Sequence, residues 1–115
     1  MNNESILLGR DPRESGESLQ KACASGIVQF GHQPLDAGIV PTPALAFGVK
    51  SLGCKMGVMV TASHNPEADN GLKLFSSVGA KLSIEEESRI ENIMRSNRQV
   101  QFDYVDMKSV KIKAD

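Results

Sequence analysis

Met56-Gly57-Val58-Met59-Val60-Thr61 is the stretch on which the fold turns. It is a nearly uninterrupted apolar run, and such a run suits a strand buried on both faces of a parallel sheet. The chain then changes character abruptly. Ala62 to Gly71 is polar, carries Pro66 and Gly71, and holds Ser63, His64, Asn65, Glu67, Asp69 and Asn70. Leu72-Lys73-Leu74-Phe75 resumes an extended pattern, and Val78-Gly79-Ala80 reads as a turn. Ser83-Ile84-Glu85-Glu86 has the form of a capping box, Ser at the N-cap and Glu three residues on. The helix it opens is expected to turn Ile84, Ile90, Ile93 and Met94 inward and to end near Ser96. Beyond it, Val100 to Val105 alternates like an edge strand, and Asp106 to Asp115 reads as a polar tail.

Upstream of the apolar run the elements also alternate. Ser5 to Gly9 reads as a short buried strand, Ile6-Leu7-Leu8, ended by Gly9, and Arg10 to Gly16 as a polar turn. A helix opening at Ser15 or Gly16 should run to a stop at Gly31, with Leu19, Ala22, Cys23, Gly26, Ile27 and Phe30 on its apolar stripe. Gln33 to Val40 reads as a strand. Thr42 is placed to cap a short helix from Ala44 to Leu52, with Pro43 in its first turn and Gly53 at its end. Strand, helix, strand, helix, strand is the order of an α/β domain with right-handed crossovers. The expected fold is a single three-layer α/β/α domain with a mixed, mainly parallel sheet.

Length and composition bound the function. At 115 residues the chain holds one ordinary domain, with 40% hydrophobic and 23% charged residues. Its net charge of −1 supplies no electrostatic reason for nucleic-acid or membrane binding. With aromatic residues at 4% and no Trp, base or sugar stacking lacks support as well. No apolar run reaches membrane-spanning length, and the N-terminus lacks a signal-peptide pattern. Cys23 falls on the helical stripe as a buried thiol, while Cys54 follows a Gly in a loop, open to partial exposure. The pair forms no C-x-x-C motif, and a cytoplasmic, reducing setting fits best.

In a parallel α/β sheet, ligands gather beyond the carboxyl ends of the strands. The loop after Thr61 stands at such an end. Phosphoryl transfer asks mainly for positioning and for positive charge around the oxygens. His64 and Asn65 can donate hydrogen bonds to a phosphate, and Lys73 can supply a cation from the following strand. Each residue also has a plainer reading. Ser, Asn and Pro are ordinary turn formers, His64 can be a structural hydrogen-bonding residue, and Lys73 an outward-facing strand position. The chain shows no G-x-G-x-x-G, no P-loop and no D-x-D-x-D cluster.

The string itself adds to these readings. Thr61-Ala62-Ser63-His64-Asn65-Pro66, followed by Asn70-Gly71-Leu72-Lys73, resembles the active-site signature of the α-D-phosphohexomutases. Gly9-Arg10-Asp11-Pro12-Arg13-Glu14-Ser15-Gly16 is similar to that family's early G-x-D-x-R-x-S segment, and Gly38 to Ala44 to its G-x-x-x-T-P turn. The three matches occur in family order, and the resemblance covers roughly Ile6 to Met94. It implies that Ser63 is the phosphoserine. Ser63 would give its phosphoryl group to a hexose phosphate, forming a hexose 1,6-bisphosphate, and take back the other phosphate. The net result is phosphoryl transfer between O1 and O6. The resemblance further implies that His64 orients the phosphoryl group and that Lys73 stabilises charge or takes part in proton transfer. A Ser63 phosphate oxygen would ligate Mg²⁺. Asp11, Arg13 and Asn65 are supporting candidates, with Asp11, Arg13 and Ser15 more apt to brace the strand end against the helix start.

The resemblance also predicts what lies elsewhere. Family members have four domains. Their opening G-T-x-G-x-R-G type segment has no counterpart before Ser5, so residues 1–115 are expected to be domain I truncated at its N-terminus, with domains II–IV absent. The aspartate-rich metal loop and the sugar-recognition loops belong to those domains. The isolated chain is therefore expected to be inactive, with the remaining domains of the parent enzyme as its partners. Self-association through exposed sheet edges is a further expectation. The competing reading is a non-catalytic phosphate-binding or protein-interaction domain that kept the fold.

Overall fold

A computed structural model describes residues 5–12, 14–62, 70–96 and 107–112. The elements are β1 (Ser5–Arg10), α1 (Glu14–Gln29), β2 (Gln33–Ile39), α2 (Thr42–Ser51), β3 (Met56–Ala62), β4 (Asn70–Ser76), α3 (Ile84–Ser96) and β5 (Lys108–Ser109). They build a five-stranded sheet in the order β4-β3-β1-β2-β5. β1 pairs in parallel with both β2 and β3, and β2 in parallel with β5. Among the described strands, β4 alone runs antiparallel, against β3. The sheet is thus mixed and mainly parallel, with helices on both faces.

The apolar run behaves as its composition requires. In β3, Val58, Met59 and Val60 are all buried, and their side chains serve two different cores because successive residues point to opposite faces. Ile6, Leu8, Val58 and Leu74 pack under Cys23, Ala24 and Ile27 of α1, with Ile90 of α3 against the same cluster. Leu7, Leu35, Met59 and Phe75 pack under Leu45 and Val49 of α2.

Helix α2 lies unusually close to the sheet, and glycines make that possible. A Cβ on Gly57 would collide with Val49 Cγ2. One on Gly9 would lie 2.8 Å from Val40 Cγ2 and 2.9 Å from Leu45 Cδ1. Gly9 therefore does not end β1. The strand passes through it to Arg10, using the missing side chain to admit the helix.

Local signals mark several boundaries correctly. The capping box of α3 is formed: Glu86 N–H donates to Ser83 Oγ at 3.1 Å, and Ser83 N–H donates to Glu86 Oε1 at 3.1 Å. That bonding holds the Glu86 carboxyl below its ordinary range. Gly31 and Gly53 stop α1 and α2 in the same way. His32 N–H returns to Ile27 O and Cys54 N–H to Val49 O, at 3.1 and 2.9 Å, the long bond of a Schellman motif.

Other expectations are overturned. Thr42 does not cap α2; Pro41 occupies the N-cap, and no side chain bonds there. Asn70 and Gly71 belong to β4 rather than to the preceding loop. The inward stripe of α1 is Gln20, Cys23, Ala24 and Ile27, while Phe30 is 50% exposed. Ile84 does not turn inward but stands 78% exposed in the first turn of α3. Cys54 is buried, at 2% exposure, because the closing turn of α2 folds it under Val49. The polar tail contributes β5, and Val110 and Ile112 pack against the α2-side core. The strand expected over Val100 to Val105, and the side chains of Ile93 and Met94, lie outside the described residues.

The outer edge of β4 is covered at its centre. Leu74 N–H donates to Glu87 Oε2 at 2.9 Å, and Leu74 O accepts from Leu82 N–H at 2.8 Å. Lys81 pairs with the same carboxylate oxygen at 3.1 Å. Occupied edge groups are poor templates for a second chain.

Gly57→Ala is expected to lower stability by about 1–3 kcal/mol, the usual cost of overpacking a close contact. Urea unfolding reads this directly, and an unchanged midpoint would contradict the close seating of α2 on β3.

Candidate active site at the carboxyl edge of β1 and β3

The chain leaves β1 through α1 to reach β2 on one side, then returns through α2 on the opposite face to β3 on the other side. The direction of winding therefore reverses between β1 and β3. At such a reversal the two crossovers diverge to opposite faces, leaving a crevice at the carboxyl ends that binds ligands in open α/β sheets. The N-termini of α1 and α2 begin at this same edge. α2 has neither a side-chain cap bond nor an acidic residue in its first turn. Its positive dipole end is thereby left to favour an anion.

Two strand ends meet across the reversal. Asp11 N–H donates to Val60 O at 3.1 Å, and Thr61 Oγ1 donates to Asp11 Oδ2 at 3.2 Å. Val40 N–H donates to Arg10 O at 3.1 Å, so the end of β1 is tied to both neighbours. Beyond Thr61 the pairing of β3 with β4 continues through Thr61↔Gly71 to Ala62↔Asn70. The segment 63–69 thus joins two directly paired residues, as the connection of an antiparallel hairpin. Ser63, His64 and Asn65 lie in that segment, outside the described residues, as does Arg13.

Lys73 is described. It pairs with Met59. Its neighbours Leu72 and Leu74 pack with the α1-side cluster, whereas Phe75 packs with the α2-side one. Strand alternation therefore assigns Lys73 to the α2 face, the face that also carries Met59 and Thr61. Asp11 and Lys73, expected on separate grounds, are thus brought to one face of the same three-strand edge. Among the described residues no group of three His, Cys, Asp or Glu side chains gathers to hold a metal ion.

On the opposite face lies a polar network that sequence reasoning missed. Arg10 Nη1 donates to Gln20 Oε1 at 2.7 Å, and Gln20 Nε2 donates to Asp36 Oδ1 at 2.6 Å. Asp36 Oδ1 also accepts Gly38 N–H at 2.8 Å. Leu8 pairs with Asp36 but Gly9 with Gly38, so Ala37 is an extra residue and β2 bulges there. Gly38 adopts φ +73°, where a side chain would strain the backbone. Gln20, 1% exposed, joins α1 to both strands at this bulge. A signal for it existed: Gln20, Cys23, Ala24 and Ile27 follow the i, i+3, i+4, i+7 rule, with one polar member in an apolar stripe.

The family model for phosphoglucomutase/phosphomannomutase, alpha/beta/alpha domain I, matches residues 1–101. The chain belongs to this family, as its first domain. Phosphoglucosamine mutases from Staphylococcus aureus strains JH9 and Newman are 46% identical over 89 residues, covering 77% of this chain and 20% of theirs. A crystal structure from Thermus thermophilus, described as that of a phosphomannomutase, superposes with a TM-score of 0.76 at 27% identity. The match covers 93% of this chain and 24% of that one. A phosphoglucomutase/phosphomannomutase family structure from Burkholderia thailandensis gives 0.68 at 28% identity, over 94% of this chain and 24% of its own. The chain therefore spans about a fifth of the length of the curated relatives it matches.

Both thiols of this mutase-family domain are buried. Burial pushes Cys23 up to about 11 and raises Cys54 as well, so both are protonated at neutral pH. Iodoacetamide at mildly alkaline pH is expected to label them slowly in the folded chain and rapidly in urea; equal rates by mass spectrometry would refute the burial. Gln20→Ala is expected to cost about 1–3 kcal/mol, since it strips partners from Arg10 and Asp36 in a partly buried setting. Thermal unfolding checks this.

Proposed function

We propose that this chain is the phosphoserine-bearing domain of a phosphohexomutase, with Ser63 as the phosphoryl carrier. The supporting observation is the position of Thr61-Ala62-Ser63-His64-Asn65-Pro66: a family signature leaving β3 beside β1, where the sheet's winding reverses. The strand end from which it departs shares its sheet edge with the anion-favouring end of α2, and Lys73 on β4 supplies a cation to the same face.

The chemistry follows from a phosphoserine held there. A free hydroxyl of the hexose phosphate attacks the phosphorus, the bond from phosphorus to Ser63 Oγ breaks, and the hydroxyl's proton ends on Ser63 Oγ. The product of this half is a hexose 1,6-bisphosphate. After the sugar reverses, Ser63 Oγ attacks the other phosphorus, and its proton passes to the departing sugar oxygen. His64 and Asn65 donate hydrogen bonds that orient the phosphoryl oxygens. Lys73 stabilises the negative charge that moves between Ser63 and the sugar oxygen. Arg13, close in sequence to Asp11, supports the same edge.

Mg²⁺ is a hard cation that wants oxygen ligands in near-octahedral order. The described residues supply no carboxylate set for it. The family resemblance assigns its protein ligands to another domain of the parent, with a phosphoserine oxygen as the share contributed from here. Hexose recognition is assigned to those domains too. We place the protein in the cytoplasm, in keeping with two free buried cysteines; no described helix is long and apolar enough to cross a membrane.

Intact-mass analysis of the purified chain is expected to show a fraction carrying one phosphoryl group, absent from Ser63→Ala. Steady conversion of hexose 1-phosphate by this chain alone is expected to be undetectable. A phosphoryl-free wild type that bound another protein regardless of Ser63 would favour an interaction module instead.

A further inference from the structure

We infer that Asp11 and Thr61 form a positioning clamp that sets where the phosphoryl-carrying serine stands relative to Lys73. The inference rests on Ser63 being the carrier, and it gives a role to two residues that touch neither substrate nor phosphorus in the proposed reaction.

Thr61 sits at three structural crossroads. Its hydroxyl donates to Asp11 Oδ2 at 3.2 Å. In the β3–β4 pairing it faces Gly71, a residue without a side chain, and Lys73 follows two positions further along β4 on the same face. In sequence it is two residues before Ser63. Any rotation of the β3 end about the strand axis therefore moves the start of the carrier segment relative to Lys73.

On the β4 side the pairing of β3 continues through Thr61↔Gly71 to Ala62↔Asn70, but on the β1 side the backbone stops short of Thr61. Parallel pairing between β1 and β3 runs from Ile6↔Met56 to Arg10↔Val60 and stops there. Asp11 N–H to Val60 O is the last main-chain bond described across this seam. Past it, the Thr61–Asp11 side-chain bond continues the connection by one more residue, on the α2 face.

Asp11 is itself well anchored. Arg10, immediately before it, is held on the opposite face by Gln20, and Arg10 O accepts Val40 N–H from the β2 side. The end of β1 is thus fixed on the α1 face and on both edges. The clamp ties the outgoing end of β3 to that fixed point.

The required chemistry is a hydrogen-bond acceptor at position 11 and a hydroxyl at position 61, not a negative charge. This separates a clamp from an electrostatic role. Asp11→Asn keeps a carbonyl oxygen that can accept from Thr61, and Thr61→Ser keeps the hydroxyl. Asp11→Ala and Thr61→Val remove one partner each.

The test loads the dephosphorylated parent protein, which carries this domain together with the remaining ones, with glucose 1,6-bisphosphate in Mg²⁺ buffer and follows phosphoryl incorporation on Ser63 by intact mass. Amide hydrogen exchange at Thr61, Ala62, Asn70 and Gly71 is read on the same samples. Thr61→Val and Asp11→Ala are expected to slow incorporation roughly tenfold or more and to speed exchange at those amides, whereas Thr61→Ser and Asp11→Asn should remain within about threefold of wild type in both. Ile27→Ala, in the α1-side core, serves as a control for lost stability, and its incorporation rate should stay at the wild-type value below its melting temperature. Should Thr61→Val or Asp11→Ala fail to fold, Asp11→Asn decides: a roughly tenfold loss there means that charge, not the hydrogen bond, matters, and the clamp is wrong. Wild-type rates in both Thr61→Val and Asp11→Ala sink the clamp while leaving the carrier reading intact. A wild type that takes no phosphoryl group sinks the carrier reading, and the clamp with it.

Discussion

β1 is shared by two neighbours that reach it from opposite directions, and every feature of the candidate site depends on that sharing. β2 arrives by way of α1 on one face, β3 by way of α2 on the other. Because right-handed crossovers on opposite faces must move in opposite directions across a sheet, the reversal leaves an opening at the carboxyl ends of β1 and β3. The polar segment 63–69 departs from one lip of that opening.

Close packing on the α2 side is the condition for this arrangement. Gly9 on β1 and Gly57 on β3 let Leu45 and Val49 approach the sheet to the limit of van der Waals contact. Leu7, Met59 and Phe75 fill the space between. With a side chain at either glycine, α2 would be lifted from both strands, and its N-terminus would move with respect to the β3 end. The polar network of Arg10, Gln20 and Asp36 does comparable work on the other face. It satisfies three polar side chains in a largely buried place and stabilises a bulge that the β1–β2 register requires.

The family relation bears on these features in a particular way. The mutase relatives are several times longer, and the match is confined to their first domain. In the proposed reading this domain supplies a phosphate carrier and a cation, the first from the segment that follows β3 and the second from β4.

Much of the fold was legible from local sequence because its signals are local. The run Met56 to Thr61, the capping box at Ser83 and the stops at Gly31 and Gly53 depend only on neighbours within a few residues, and each stands where it was expected. The family string from Thr61 to Pro66 was likewise legible. Long-range geometry was not. The inward face of α1 is turned so that Gln20 replaces Leu19, because Gln20 finds Arg10 and Asp36 on two different strands. Cys54 is drawn into the core by α2, and Val110 and Ile112 are brought against it by the pairing of β5 with β2. The sequence by itself determined the order of elements, the α/β class and the residue types at the carboxyl edge. Only the tertiary structure decided that Asp11 meets Thr61 and that Lys73 shares their face. Those facts follow from strand order and register, and strand order is settled by packing among elements far apart in the chain.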